Sequence, residues 1–166
     1  MDVSTGISAV IITHNESANI ARCIKSVNDL VDEVLVVDSY STDNTCEIAK
    51  NLGARVIEHP FEGHIQQKNW AKDQATFHWV LSLDADECLS DELRIHLQNA
   101  IKNGLFYGQT KGFAFSRLNH LGDLPIRGCG WYPDTKLRLW DRRCGNWSGR
   151  NPHDKFVIQP KYPIDK

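Results

Sequence analysis

Asp84, Asp86 and Glu87 sit within four residues of one another in the stretch WVLSLDADECLSDE (residues 79–92), where an apolar run ends. Carboxylates crowded at the tip of a buried strand repel one another and need a compensating partner: a metal ion, a nearby base, or water. In an extended segment residues i and i+2 share a face, so Asp84 and Asp86 can converge on one cation. Their oxygens are hard ligands that suit Mg²⁺ or Mn²⁺, and such a site commonly uses one or two carboxylates together with substrate phosphates. The competing reading is a turn capped by one aspartate with Glu87 in solvent. On these residues alone both stand.

Four further groups can serve chemistry. Lys68, in EGHIQQKNWA (residues 62–71), can reach a sheet edge from a helix and meet a phosphate as a compact charge; an exposed helical lysine is the plainer reading. Asp38 precedes SYSTDNT, and a carboxylate there can accept two ribose hydroxyl hydrogens or a base N–H. Turn capping can fall to Asp43 or Asn44 instead, which leaves Asp38 for binding. His153 and Asp154, in WSGRNPHDKF (residues 147–156), read as part of a polar loop that can supply a general base or a further metal ligand, or simply surface. Arg127, Arg138, Arg142, Arg143 and Arg150 form a basic set in the same region, able to neutralise an anionic substrate or pair with the acidic edge.

The elements that must position these groups follow from periodicity. ISAVIIT (7–13), EVLVVD (33–38), ARVIEH (54–59) and HWVLSLD (78–84) are short and rich in β-branched residues, which predicts buried strands. Between them Ala18, Ile20, Ala21, Ile24 and Val27 recur at helical spacing, with Asn15 or Ser17 as the expected cap. A second helix is expected over DNTCEIAKNLG, with Asn44 and Glu47 as a capping box and Gly53 as its stop. A third is expected over residues 65–75. A fourth, capped by Ser90, carries Leu93, Ile95, Leu97 and Ile101 and closes at Gly104. Repeated βα units with nearly all-apolar strands imply a parallel sheet flanked by helices. Ligands of such sheets bind at the carboxyl ends of the strands, where Thr13 to Glu16, Asp38 and Asp84 to Glu87 all fall. After Gly104 glycine, aromatic and arginine residues mix with little helical period, predicting antiparallel strands and long loops. The expectation is one α/β domain over residues 1–166, with a βα half at 1–104 and a mixed, antiparallel half at 105–166.

Bulk properties narrow the field. With 166 residues the chain is long enough for one sizeable core. Nineteen Lys and Arg against 21 Asp and Glu leave a net charge of −2, which gives no broad electrostatic reason for a nucleic-acid partner. No apolar run approaches the ~20 residues of a transmembrane helix. Five cysteines without a CxxC pair suggest free thiols. The expected location is therefore the cytoplasm, including the inner face of a membrane, with peripheral membrane contact allowed.

Four stretches in order, SAVIITHNES, VDEVLVVDSYSTDNT, QQKNWA and VLSLDADE, resemble the family 2 glycosyltransferases of GT-A (Rossmann-like) fold, and within them the lipopolysaccharide-core type described as β-glucosyltransferases. WYPDTKLRLWDRRCGNWSGRNPHDKF extends the resemblance more loosely. The resemblance implies an inverting transfer from a nucleotide-diphosphate sugar, with a UDP-sugar favoured, to a glycan or lipid-linked glycan acceptor. It implies that residues 1–104 bind the nucleotide sugar, and that Thr13, Asn15 and Glu16 line the nucleoside pocket, with Asp38 on the base or ribose and Lys68 near the diphosphate. Asp84 would touch ribose or metal, and Asp86, the second aspartate of a DxD motif, would hold Mn²⁺ or Mg²⁺. His153-Asp154 stands where relatives carry His-Glu, which makes Asp154 the expected base for the acceptor hydroxyl and His153 a third metal ligand. Enzymes of this type are expected to be longer than this chain, with further acceptor-binding or membrane-associating elements. A donor-binding module without turnover is the alternative. A nucleotidyltransferase would show a glycine-rich basic loop after the first strand, and THNESANIARC has none.

Overall fold

The computed structural model describes residues 5–151 and 153–165. Its first part alternates strands β1 (Ile7–Thr13), β2 (Glu33–Asp38), β3 (Arg55–Glu58) and β4 (Trp79–Asp84) with helices α1 (Ile20–Val27), α2 (Thr45–Asn51), α3 (His64–Asp73) and α4 (Asp91–Lys102). Its second part adds β5 (Gly112–Arg117), the short β6 (His120–Leu121) and β7 (Leu124–Pro125), β8 (Asp134–Asp141), β9 (Gly145–Arg150), β10 (His153–Ile158) and β11 (Ile164–Asp165).

One seven-stranded sheet takes elements from both parts, in the order β11-β5-β8-β4-β1-β2-β3. β4, β1, β2 and β3 are mutually parallel, β8 runs antiparallel between β4 and β5, and β11 is parallel to β5. The chain therefore steps from β1 through β2 to β3 on one side and returns to place β4 on the other. That reversal, between β1 and β4, is where an open α/β sheet leaves a crevice at its carboxyl edge.

The central strands β1, β2 and β4 are buried on both faces because they are apolar along nearly their whole length. Ile7, Ala9 and Ile11 of β1 join Val36, Leu81 and Leu83 in a cluster covered by α1, α2 and α4. Val10, Leu35, Val37 and Val80 face the other side, under Ala71 of α3 and the aromatic residues of β8, β9 and β10. α1 buries Ile20, Cys23, Ile24 and Val27, the i, i+3, i+4, i+7 stripe of a core-facing helix. On the second face Trp140 is fully buried, stacked on Phe156 at 4.0 Å and edge-on to Trp147 at 5.4 Å. This aromatic cluster docks the β9–β10 hairpin against α3.

Several local expectations are corrected. α1 starts at Ile20 with Asn19 at its N-cap and no side-chain cap; the Glu16 carbonyl instead accepts from the Asn19 and Ile20 N–H groups, both at 2.9 Å. The Asn44–Glu47 capping box does not form. Asp43 takes that place, accepting from the Thr45 N–H at 3.0 Å and the Thr45 hydroxyl at 2.5 Å. Ser90 does cap α4, accepting from Leu93 N–H at 3.2 Å, but Ile95 points to solvent. His153 and Asp154 open a β-strand rather than lying in a loop. Among the described residues no helix is long and apolar enough to cross a membrane.

Candidate functional site

A cavity of about 600 Å³ opens at the carboxyl edge beside the β1–β4 reversal. β1 and the turn after it supply Ile12, Thr13, His14 and Glu16; β4 and its turn supply Asp84, Ala85 and Asp86. Ser39 follows β2, Phe61 and His64 lead into α3, Lys68 lies one turn inside α3, and Asp154 comes from β10. Of the residues expected from sequence, Thr13, Glu16, Lys68, Asp84, Asp86 and Asp154 thus line one space.

Lys68 is the hinge of this arrangement. It is 5% exposed, not a solvated helical lysine, and its ammonium donates to Asp84 Oδ1 at 3.0 Å and Asp154 Oδ2 at 2.9 Å. The neighbouring motif residues explain why it sits there. Gln67, fully buried, donates from Nε2 to Ser39 Oγ at 3.1 Å and meets His59 Nδ1 through Oε1 at 2.8 Å. Asn69 binds the Trp147 backbone reciprocally, Nδ2 to the carbonyl at 3.0 Å and Oδ1 from the N–H at 2.9 Å. Trp70 stacks on His59 at 3.9 Å. Asn151 Oδ1 accepts from the Ile65 N–H at 2.9 Å, satisfying an open donor at the start of α3 from a distant hairpin. These bonds fix α3 between β2 and β9, so that Asp154 on the next strand meets Lys68.

A base answers the repulsion in the acidic run. Arg138, on β8, donates to Glu87 Oε1 at 2.5 Å and lies 3.4 Å from Asp84 Oδ2; Arg117, on β5, reaches the same Glu87 oxygen at 3.3 Å. Burial pushes the Asp84 carboxyl upward, but the Arg138 and Lys68 charges outweigh that and hold it below its ordinary value. Glu87 also accepts from the Asp84 N–H at 3.2 Å, which makes it the clamp of the turn. Asp86 differs from both. Its carboxylate is exposed on the cavity wall and forms no ion pair among the described residues. Its backbone carbonyl accepts from Arg22 at 3.0 Å.

Three expected site residues lie elsewhere. Asp38 is fully buried and does the capping itself, accepting from Ser41 N–H at 2.7 Å and Ser41 Oγ at 2.5 Å. Asn15, at φ 53°, ties two loops together by accepting from Thr42 N–H at 2.8 Å. Both brace the wall without lining it. His153 is exposed and does not line the cavity: adjacent strand residues face opposite sides, and Asp154 takes the inward one.

The oxygen donors still fit a hard divalent ion, held by Asp86 with Asp84 beside it and completed by ligand phosphates, without His153. Thr13 adds a second sign of a polar ligand, because its buried Oγ1 has no hydrogen-bond partner among the described residues. Asp38, Cys46 and Glu58 form the one three-ligand cluster found among those residues. Burial, the Asp38 hydrogen bond and the two carboxylates push the Cys46 thiol up to about 11.

Sequence reasoning passed over Arg138 as anything more than one of five arginines, and passed over His14, Ser39, Phe61 and His64 as site residues. For Arg138 the available signal was an arginine inside the strand pattern DTKLRLWD; for Phe61, an aromatic between Pro60 and Gly63 in a loop at the sheet edge.

A model of the family described as glycosyl transferase family 2 matches residues 8–156. An uncharacterized glycosyltransferase of Rickettsia felis is 53% identical over 92 residues, covering 55% of this chain and 32% of the relative. A lipopolysaccharide core biosynthesis glycosyltransferase, LpsC of Rhizobium meliloti, is 36% identical over 93 residues, covering 53% of this chain and 34% of that protein. These matches thus span about a third of the length of such curated relatives. Among solved structures, glucosyl-3-phosphoglycerate synthase of Mycobacterium tuberculosis bound to UDP superposes with a TM-score of 0.61 at 25% identity, over 84% of this chain and 57% of that one. The same synthase with Mn²⁺, UDP and glucosyl-3-phosphoglycerate superposes with a TM-score of 0.52 at 25% identity, over 65% of this chain and 42% of that one.

Proposed function

The chain belongs to glycosyl transferase family 2, and from that premise we propose that it moves a sugar from a UDP-sugar to a glycan hydroxyl, releasing UDP, with inversion at the anomeric carbon. The observation that carries this reading is one cavity, at the sheet reversal, lined by Lys68, Asp84, Asp86 and Asp154. The synthase bound to UDP and Mn²⁺ supports the donor and the metal, and the lipopolysaccharide-core relative supports a glycan or lipid-linked glycan acceptor. Free thiols at all five cysteines support a reducing compartment, the cytoplasm.

Each residue then has a task. Thr13 and Glu16 face the nucleoside, and Lys68 meets the diphosphate as a point charge already desolvated by the fold. Asp86, with Asp84 beside it, would hold Mn²⁺ or Mg²⁺, whose charge would offset that of the leaving diphosphate. Asp154 takes the proton of the acceptor hydroxyl while the new bond forms at the anomeric carbon and the bond to the diphosphate breaks. Asp84, gripped by Arg138, keeps its carboxylate ionised and fixed.

Turnover of UDP-sugars, measured as UDP released with Mn²⁺ present, tests the assignment. Asp154→Asn lowers it by about 10²–10⁴-fold, the usual worth of a positioned base, while UDP binding persists. Wild-type turnover in that variant would remove Asp154 from the reaction. Measurable UDP affinity with neither hydrolysis nor transfer would leave a donor-binding module.

A further inference from the structure

The carboxyl edge of the sheet sends out one excursion that sugar transfer leaves without a role. Residues 118–133 leave β5 at Arg117 and return to β8 at Asp134, and the Arg117–Asp134 ion pair, 2.6 Å, closes their root. Arg117 also reaches Glu87, so the excursion stands on the same ion network that grips Asp84. Within it β6 and β7 form a hairpin with a two-residue turn, made by Gly122 at φ 58° and Asp123. Leu121 and Leu124 are direct cross-strand partners and therefore share one face. They are 74% and 71% exposed, and Trp131, further along, is 55% exposed. The other four tryptophans are buried or half-buried.

A leucine pair left in water near an exposed tryptophan marks a contact surface, and the surrounding charge indicates what it contacts. Arg127 lies 5.6 Å from the Tyr132 ring, and Asp123 is the one acid in the excursion. The same edge presents Arg150 and Lys155 on the exposed face of the β9–β10 hairpin. Neither these residues nor Arg127 form an ion pair among the described residues, although the chain as a whole carries a net charge of −2. Exposed leucines at the hairpin tip, an exposed tryptophan and tyrosine later in the same excursion and unpaired cations on the same sheet edge are the kinds of group that a membrane interface takes at its acyl boundary, headgroup level and anionic phosphates.

We propose that residues 118–133 dock the protein on an anionic bilayer surface, with Leu121 and Leu124 inserted and the cavity mouth held at the headgroups. The proposal is independent of sugar transfer and is tested without nucleotide. The chain is sedimented with phosphatidylcholine vesicles, with and without phosphatidylglycerol, while tryptophan fluorescence is followed. The expected result is binding to the anionic vesicles that weakens as salt is raised, with a blue shift that Trp131→Phe removes. Leu121→Ser with Leu124→Ser weakens partitioning on the order of tenfold for each leucine and leaves the melting temperature unchanged, since both side chains already sit in water. Absence of vesicle binding overturns the proposal. So does binding without a blue shift that is indifferent to the serines, which is adsorption by charge alone. Self-association without vesicles that the serine pair abolishes would assign the patch to a second copy and overturn it as well.

Discussion

Replacing Lys68 with methionine tests the ion bridge at the centre of the site. The substitution keeps the stem that packs inside α3 and removes the ammonium lying within 3.0 Å of both Asp84 and Asp154. Asp84 retains Arg138 at 3.4 Å, but Asp154, whose side chain is 8% exposed, loses its one ion-pair partner among the described residues. Stranding a buried charge costs about 3–5 kcal/mol. The lost contact of the ammonium with the Trp147 ring, 4.6 Å away, adds a smaller share. The cost must depend on pH with a definite sign. Asp84 has a folded value below its unfolded one, so its contribution is present above the ordinary carboxylate range and is lost as pH falls through the depressed value. In Lys68→Met one of the two charges holding Asp84 down is gone, so the wild type loses more stability on acidification and the two proteins converge. Urea denaturation at neutral and at acidic pH reads this directly. Asp154→Asn placed in the Lys68→Met background recovers part of the loss, with a coupling of about 0.5–3 kcal/mol in a double-mutant cycle. A cost below about 1 kcal/mol, the worth of an exposed pair, or a cost that is the same at both pH values, would refute the buried bridge.

Other substitutions separate scaffold from chemistry. Asn69→Leu, which removes both bonds to the Trp147 backbone, costs about 1–3 kcal/mol by urea denaturation and slows transfer by loosening Asp154. Trp140→Ala opens the aromatic cluster and costs about 3–5 kcal/mol in the same assay. His153→Ala leaves Mn²⁺-dependent UDP affinity as in the wild type by calorimetry, because the ring faces solvent; a large loss would return histidine to the metal. Gly149→Ala destabilises by about 1–3 kcal/mol in thermal unfolding, since its φ is 114° and a β-carbon there would lie 2.8 Å from the His153 carbonyl.

How much of this was legible in the sequence depends on the range of the forces involved. β1 and β2 could be read because short β-branched runs have few alternatives, and both occupy their expected residues. The carboxyl edge followed from the order of strands, and with it the placement of Thr13, Asp84 and Asp86. Capping was misread because Asp38, Asp43, Asn44 and Asn15 compete for the same few N–H groups, and tertiary geometry decides among them. The exposed reading of Lys68 reversed for the same reason: its burial depends on Asn69 meeting Trp147, 78 residues away. Arg138 was hidden among five arginines because its role requires the antiparallel pairing of β8 with β4, which no local period encodes. His153 and Asp154 parted company as soon as their segment became a strand, where neighbours point apart.

If the cavity beside β1 and β4 is the donor site we propose, Asp86, exposed and free of ion pairs among the described residues, is the group that a metal-bound diphosphate needs. Calorimetric titration of UDP, with and without Mn²⁺, into the wild type and Asp86→Ala tests it most directly. Mn²⁺-dependent binding that Asp86→Ala abolishes is expected, while the variant's own unfolding free energy stays within about 0.5 kcal/mol, as for a surface change. UDP binding that is indifferent to Mn²⁺ and to Asp86, or no binding at all in the wild type, would contradict it.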